Sequence, residues 1–265
     1  MEDDFNHVEL SRILEFAERS NSAYHEPNVF RQEYAAHTEA GEFPATGLRV
    51  YLYNDTADNI QWVVLRGTAN LHDIIADLDF LGHENHELGI LIHEGFDLAT
   101  RECLPWILNR IDKSRPVRLT GHSLGGSVAA LLVALLDHRG FPDVSAITFG
   151  QPKFTDSRGA ATLTHLNILR VVHSEDPVPM LPPVEVAGIS TSLYQHVGPE
   201  FVISANGHFL YLPVHHPHRL IITQFWEELT KVRPMAHDMV QGYLPALKAA
   251  LTRTQKNAPS PLEKL

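Results

Sequence analysis

A single cysteine, Cys103, occurs in 265 residues, so no disulfide can close within the chain and the fold has to hold through packing. Basic residues are scarce: 21 Lys and Arg stand against 32 Asp and Glu, a formal net charge of -11. Charge of that sign repels nucleic acid and the anionic leaflet of a membrane, so neither is expected as an electrostatic partner. An uncharged ester or the surface of a neutral lipid droplet stays accessible, because apolar contact does not depend on charge. Long apolar runs are missing too. The longest, Val128 to Leu136, falls far short of the ~20 residues that span a bilayer, and no transmembrane segment is expected. The opening stretch MEDDFNHVELSRILEF is acidic where an export signal is basic, and it lacks an apolar stretch with a small-residue cleavage site. These absences predict a soluble protein, with the cytoplasm favoured and export without a signal as the alternative.

What the chain does have is apolar and patterned. Hydrophobic residues make up 44% of it, enough at this length for a sizeable core. Leu10, Ile13, Leu14, Phe16 and Ala17 recur at helical spacing and predict an amphipathic helix that ends near Ser20 and covers one face of a sheet. Leu48 to Tyr53 and Gln61 to Leu65 are rich in β-branched and aromatic residues, and the polar NDTADN between them supplies turn chemistry, so the pair reads as a hairpin. Val117 to Thr120, Ala146 to Phe149 and Ile168 to Val172 are short apolar runs separated by helical patterns, the mark of parallel strands joined by crossover helices. The fold class is therefore α/β, a mostly parallel central sheet flanked by helices. No repeat, low-complexity block or linker interrupts it, so one domain over residues 1–252 is expected. The polar RTQKNAPSPLEKL predicts a loose tail over 253–265.

The run VRLTGHSLGGSVAALLVALLDHRG sets Gly121, Ser123 and Gly125 in G-x-S-x-G between a predicted strand and a long helix ending at Gly140. A sharp turn there presents the serine hydroxyl, and glycines on either side let backbone and helix approach closely. The helix beginning near Leu124 aims free N–H groups at the oxygen that becomes negative during acyl transfer, so Ser123 is the candidate nucleophile and the Leu124 N–H an oxyanion donor.

With that elbow in place, the sequence resembles the class 3 lipases, the fungal-lipase-like branch of the α/β hydrolases. TGHSLGGSVAALL is accompanied, in the family's order, by LRGTANLHDIIADLDF, IHEGF, TFGQPKFTD and HSEDPVPMLPP. The resemblance implies an α/β-hydrolase fold with a lid helix over the active site, and a serine hydrolase that cleaves carboxylic esters of lipids, most of all acylglycerols. It assigns Thr68, which ends LRGT, to the oxyanion hole. The acid of such enzymes follows the serine in the chain; Asp176 stands in the family's carboxylate position, with Glu175 the adjacent rival. Seventeen histidines make no single one informative. AHDMVQGYLPAL resembles the family's last motif, a His before a C-terminal helix with a Tyr a few residues on, and so points to His237; His208 is the fallback, and His196 lies in a segment whose histidine is not the base.

Leu71, Ile74, Ile75 and Leu78 share one face of a helix just after Thr68, in the segment that is a lid in this family. Such a lid would expose its apolar face at a lipid-water interface; a fixed core helix is the alternative. His215, His216 and His218 are interrupted by Pro217 and joined by no Cys or carboxylate, so no metal and no cofactor is expected. Two other readings use the same residues: an acyltransferase or phospholipase with the same triad, and a non-catalytic lipid-binding protein that keeps the fold.

Overall fold

The computed structural model describes residues 7–67, 81–182, 185–186, 189–190, 194–212 and 234–257. The chain opens with α1 (His7–Ser22) and α2 (Pro27–Glu33), then β1 (Glu39–Phe43), β2 (Leu48–Asp55) and β3 (Ile60–Arg66). The short β4 (Gly82–Asn85) and β5 (Ile90–His93) lead into α3 (Glu94–Leu108), β6 (Val117–His122), α4 (Leu124–His138) and β7 (Val144–Phe149). Next come β8 (Thr155–Asp156), α5 (Ser157–Thr162) and β9 (Ile168–His173). The two-residue strands β10 (Glu185–Val186), β11 (Ile189–Ser190) and β12 (Tyr194–Gln195) precede β13 (Glu200–Ile203), β14 (Phe209–Leu212) and α6 (Leu244–Asn257).

Eight strands form the central sheet in the order β1-β2-β3-β6-β7-β9-β13-β14. The five inner strands from β3 to β13 run parallel, and antiparallel strands flank them at both edges. The expected hairpin is β2 with β3. Its turn is set by the Asp55 carboxylate, which accepts from the Ala57 and Asp58 amides, and by Asn59 at φ 57, a left-handed position that asparagine tolerates. Side chains alternate across the sheet as a pleat requires. Leu48, Val50 and Leu52 of β2 join one core with Val63 and Leu65, under α3 and α4. Tyr51, Tyr53, Trp62 and Val64 join the other, under α1 and α6.

The first helix covers one sheet face as expected, running to Ser22. Arg19 pins it there: its guanidinium lies 4.0 Å from the Trp62 ring centroid, and its Nε donates to the Tyr53 hydroxyl at 2.7 Å. The last helix continues to Asn257, past position 253 where composition predicted the chain to loosen, because Ala246, Leu247 and Ala250 bury against the α1 side of the sheet. The parallel strands β6, β7 and β9 end together, at His122, Phe149 and His173. Loops leaving the carboxyl ends of parallel strands form the crevice where α/β proteins carry their chemistry.

Candidate active site

Ser123 lies between β6 and α4 at φ 58, ψ -128, a conformation that is costly for any residue with a side chain. The surrounding glycines make it attainable. A Cβ on Gly121 would stand 2.3 Å from the Gly125 carbonyl oxygen, and one on Gly125 would stand 2.6 Å from that of Leu65; helix, elbow and β3 could not then close on one another. The Ser123 amide donates to the Phe149 carbonyl at 2.9 Å, which ties the elbow to the end of β7. Its Oγ is buried and has no hydrogen-bond partner among the described residues. Leu124 opens α4, whose first-turn amides have no acceptor within the helix.

Asp176 follows β9 and is buried. Its carboxylate oxygens lie 3.0 and 2.9 Å from His237 Nδ1. The Tyr243 hydroxyl donates to it at 2.6 Å and the Val178 amide at 2.9 Å. Burial opposes its ionisation, but His237, Tyr243 and the Val178 amide more than offset that and hold the carboxyl below its ordinary range. The neighbouring Glu175 is exposed, and its backbone amide donates to His173 Nδ1 at 3.3 Å. Because Asp176 accepts, His237 carries its proton on Nδ1 and leaves Nε2 as the free base site. That Nε2 is buried and, like the serine hydroxyl, has no partner among the described residues.

A single glycine makes room for this pair. Gly150 follows β7 at φ +54, and a Cβ there would stand 2.8 Å from Asp176 Oδ2 and 3.1 Å from the His237 ring. The Ser123 amide bonds to Phe149 and His237 lies against Gly150, so both meet the same strand end from different segments. His237 itself follows a single 3-10 turn, Pro234–Ala236. Beyond it Asp238 caps the π-turn Met239–Tyr243 by accepting from the Val240 and Gln241 amides, both at 2.8 Å. That turn swings Tyr243 under Asp176, where its oxygen also accepts the His173 amide at 3.1 Å.

The structure thus brings Ser123, Asp176 and His237 to one place. His208 is exposed, with Nδ1 3.2 Å from an Arg253 nitrogen, and His196 is buried with Nε2 donating to the Pro179 carbonyl at 2.7 Å. Thr68 and the lid residues Leu71, Ile74, Ile75 and Leu78 lie outside the described residues, as do His215, His216 and His218. Gly67 is described. A Cβ on it would stand 2.3 Å from the His122 carbonyl and 3.1 Å from Ser123 Cβ, so the exit of β3 that leads to Thr68 abuts the elbow. No group of three His, Cys, Asp or Glu among the described residues could hold a metal.

Sequence reasoning passed over Gly150, although a glycine ending a strand in TFGQ was a usable signal.

A family model described as Lipase (class 3) matches residues 62–186. Over that stretch, a little under half of its length, the chain is similar to the class 3 lipases. That match takes in Ser123 and Asp176 and stops short of His237. The secreted mono- and diacylglycerol lipase 1 of Fusarium solani is 33% identical over 166 residues, 59% of this chain and 47% of that one. A lipase of Rhizomucor miehei is 30% identical over 158 residues, 55% of this chain and 42% of that one. The chain spans about half the length of the curated relatives it matches. A fungal lipase-inhibitor complex superposes with a TM-score of 0.72 at 19% identity, covering 93% of this chain and 98% of that one. For the Rhizomucor miehei triacylglyceride lipase the TM-score is 0.70 at 20% identity, with 90% and 97% covered. The fold is that of the fungal α/β hydrolases.

Proposed function

We propose that the protein is a serine carboxylic-ester hydrolase that cleaves acylglycerol esters through an acyl-enzyme, with Ser123 as nucleophile, His237 as general base and Asp176 as its orienting acid. The observation that carries this reading is the pairing of His237 Nδ1 with Asp176 at 2.9 Å, with His237 Nε2 and Ser123 Oγ both buried and unpartnered among the described residues. Buried polar atoms normally find partners; two left over, a hydroxyl and an imidazole nitrogen of opposite need, fit a site that awaits substrate.

In this mechanism His237 Nε2 takes the Ser123 proton as Oγ attacks the ester carbonyl, then gives it to the departing alkoxide. Asp176 stays ionised and stabilises the imidazolium. The amides of Leu124 and Thr68 receive the tetrahedral oxyanion. Water attacking the acyl-serine, with His237 again as base, releases the fatty acid.

Acylglycerols are favoured as substrates by the names of the relatives, mono- and diacylglycerol lipases of Fusarium solani and Penicillium species, and by a net charge of -11 that suits an uncharged surface better than an anionic one. A phospholipase reading has one observation behind it: 33% identity over 113 residues to the chloroplastic phospholipase A1 PLIP2 of Arabidopsis thaliana, though that segment is only 16% of the relative. No helix among the described residues is long and apolar enough to cross a membrane, and we take the substrate to be met at a lipid-water interface.

The test is hydrolysis of a p-nitrophenyl ester and of mono-, di- and trioleoylglycerol by the wild-type protein and by Ser123→Ala, His237→Ala and Asp176→Asn. We expect losses on the order of 10⁴-fold or more in kcat for the first two, and covalent capture of Ser123 by a fluorophosphonate in the wild type alone. Turnover by Ser123→Ala near the wild-type rate would remove the mechanism; phosphatidylcholine cleaved faster than diolein would move the substrate to phospholipids.

A further inference from the structure

Three main-chain segments meet around the nucleophile: the exit of β3 at Gly67, the end of β6 at His122 and the loop carrying His237. Two side chains outside the triad join all three. The Tyr24 hydroxyl accepts a hydrogen bond from the Gly67 backbone and lies 2.8 Å from His122 Nδ1. On the other side of the ring, His122 Nε2 lies 2.6 Å from the His237 carbonyl oxygen.

The chemistry allows only one arrangement of protons. A carbonyl oxygen accepts and never donates, so His122 Nε2 carries a hydrogen. Burial, reinforced by His237 beside it, pushes the His122 imidazole down to about 3, so the ring is neutral and Nδ1 is bare. Tyr24, kept protonated by its own burial, must then donate to Nδ1. Every polar atom of the chain is satisfied, and all its bonds run one way, from the Gly67 N–H through Tyr24 and His122 to the His237 carbonyl. The His122 ring also packs against that of His237, with centroids 4.3 Å apart and planes inclined by 38°.

We propose that Tyr24 and His122 are positioning residues, a hydrogen-bonded strap that holds the oxyanion-side strand exit, the nucleophile elbow and the base in register for ester cleavage. The proposal rests on the triad reading given above. What the strap ties are the residue before the oxyanion donor Thr68, the residue before the nucleophile and the base itself. None of the three bonds touches substrate, so the strap acts on the geometry of the chemical step and leaves substrate binding alone. Misplacement of a catalytic group by an ångström is costly even when every catalytic group is present.

The experiment compares Tyr24→Phe, His122→Asn, His122→Gln and Ser123→Ala on a soluble p-nitrophenyl ester, with kcat and KM recorded and folding checked by circular dichroism. Tyr24→Phe removes one oxygen atom and is expected to lower kcat roughly three- to ten-fold with KM within about two-fold. The His122→Asn amide falls where Nδ1 lay and cannot reach the His237 carbonyl; a loss of roughly 10- to 100-fold in kcat is expected. In His122→Gln the amide N–H falls where Nε2 lay, and most of that loss should be recovered. Tyr24→Phe decides the matter alone should His122→Asn fail to fold. Folded Tyr24→Phe with wild-type kcat, beside an inactive Ser123→Ala, overturns the strap and leaves the triad standing. An active Ser123→Ala overturns both.

Discussion

Gly150 shows how one residue without a functional group governs a site. It must hold φ +54, and it must leave the space in which Asp176 and His237 meet. An alanine there meets a left-handed backbone worth about 1–2 kcal/mol, and its methyl would lie within 2.8 Å of the carboxylate. Gly150→Ala is expected to lower the thermal midpoint and to reduce kcat by roughly 100-fold by displacing the pair; calorimetry and steady-state kinetics check it, and an unchanged kcat would contradict the packing described. His122 sets a limit at acid pH. Its folded-state pKa of about 3 lies far below the ordinary imidazole value near 6.5, so between those limits the unfolded chain binds a proton that the folded chain refuses. Stability is full above about pH 6.5 and falls as pH drops toward 3, with roughly 2 kcal/mol lost from this group at pH 5. Denaturant titrations at pH 7 and pH 5 measure that loss, and His122→Asn should show a smaller one.

At the scale of elements, the loop that follows Asp176 is held by the loop that follows Gly150. The Lys153 ammonium donates to the Met180 and Pro182 carbonyls at 2.7 and 2.9 Å, and its amide donates to the Leu181 carbonyl at 2.7 Å. Burial, helped by the nearby Arg170 cation, lowers the lysine to about 8. Folding therefore expels a proton from this side chain between about pH 8 and its ordinary value near 10.4, and wild-type stability rises across that window relative to Lys153→Met. The difference between the two proteins in urea unfolding should widen by roughly 2 kcal/mol from pH 8 to pH 9.5; a constant difference would show that the ammonium stays charged.

The elements themselves were legible in the sequence, because their residues carry a period: alternation in β2 and β3, three-and-four spacing in α1, and an apolar run bounded by turns at β7 and β9. The elbow was legible because its glycines have a steric purpose that few other patterns share. Tyr24 was not, since a tyrosine after a helix has no period and no motif; only the return of β3 and β6 beside it gives its hydroxyl two partners.

For the whole molecule, the acidic balance has a consequence at a lipid surface. With a net charge of -11, approach to a surface of the same sign is opposed over roughly a Debye length, ~10 Å at 0.1 M salt. Hydrolysis of a neutral diolein emulsion should slow when anionic lipid is mixed into it at low salt and recover as salt is raised. A rate indifferent to both would place the docking face away from the protein's field.

The fold class, the strand-turn-helix elbow and the candidacy of Ser123 were legible in the sequence alone, because each is written in residues close together in the chain, where steric rules and hydrophobic period act locally. His237 among seventeen histidines, and Asp176 beside Glu175, were singled out by family resemblance; that the two side chains meet is seen only in the tertiary structure. Those residues lie 61 positions apart along the chain, and what unites them is a gap left by a glycine on a third segment, a matter of packing that no local pattern encodes.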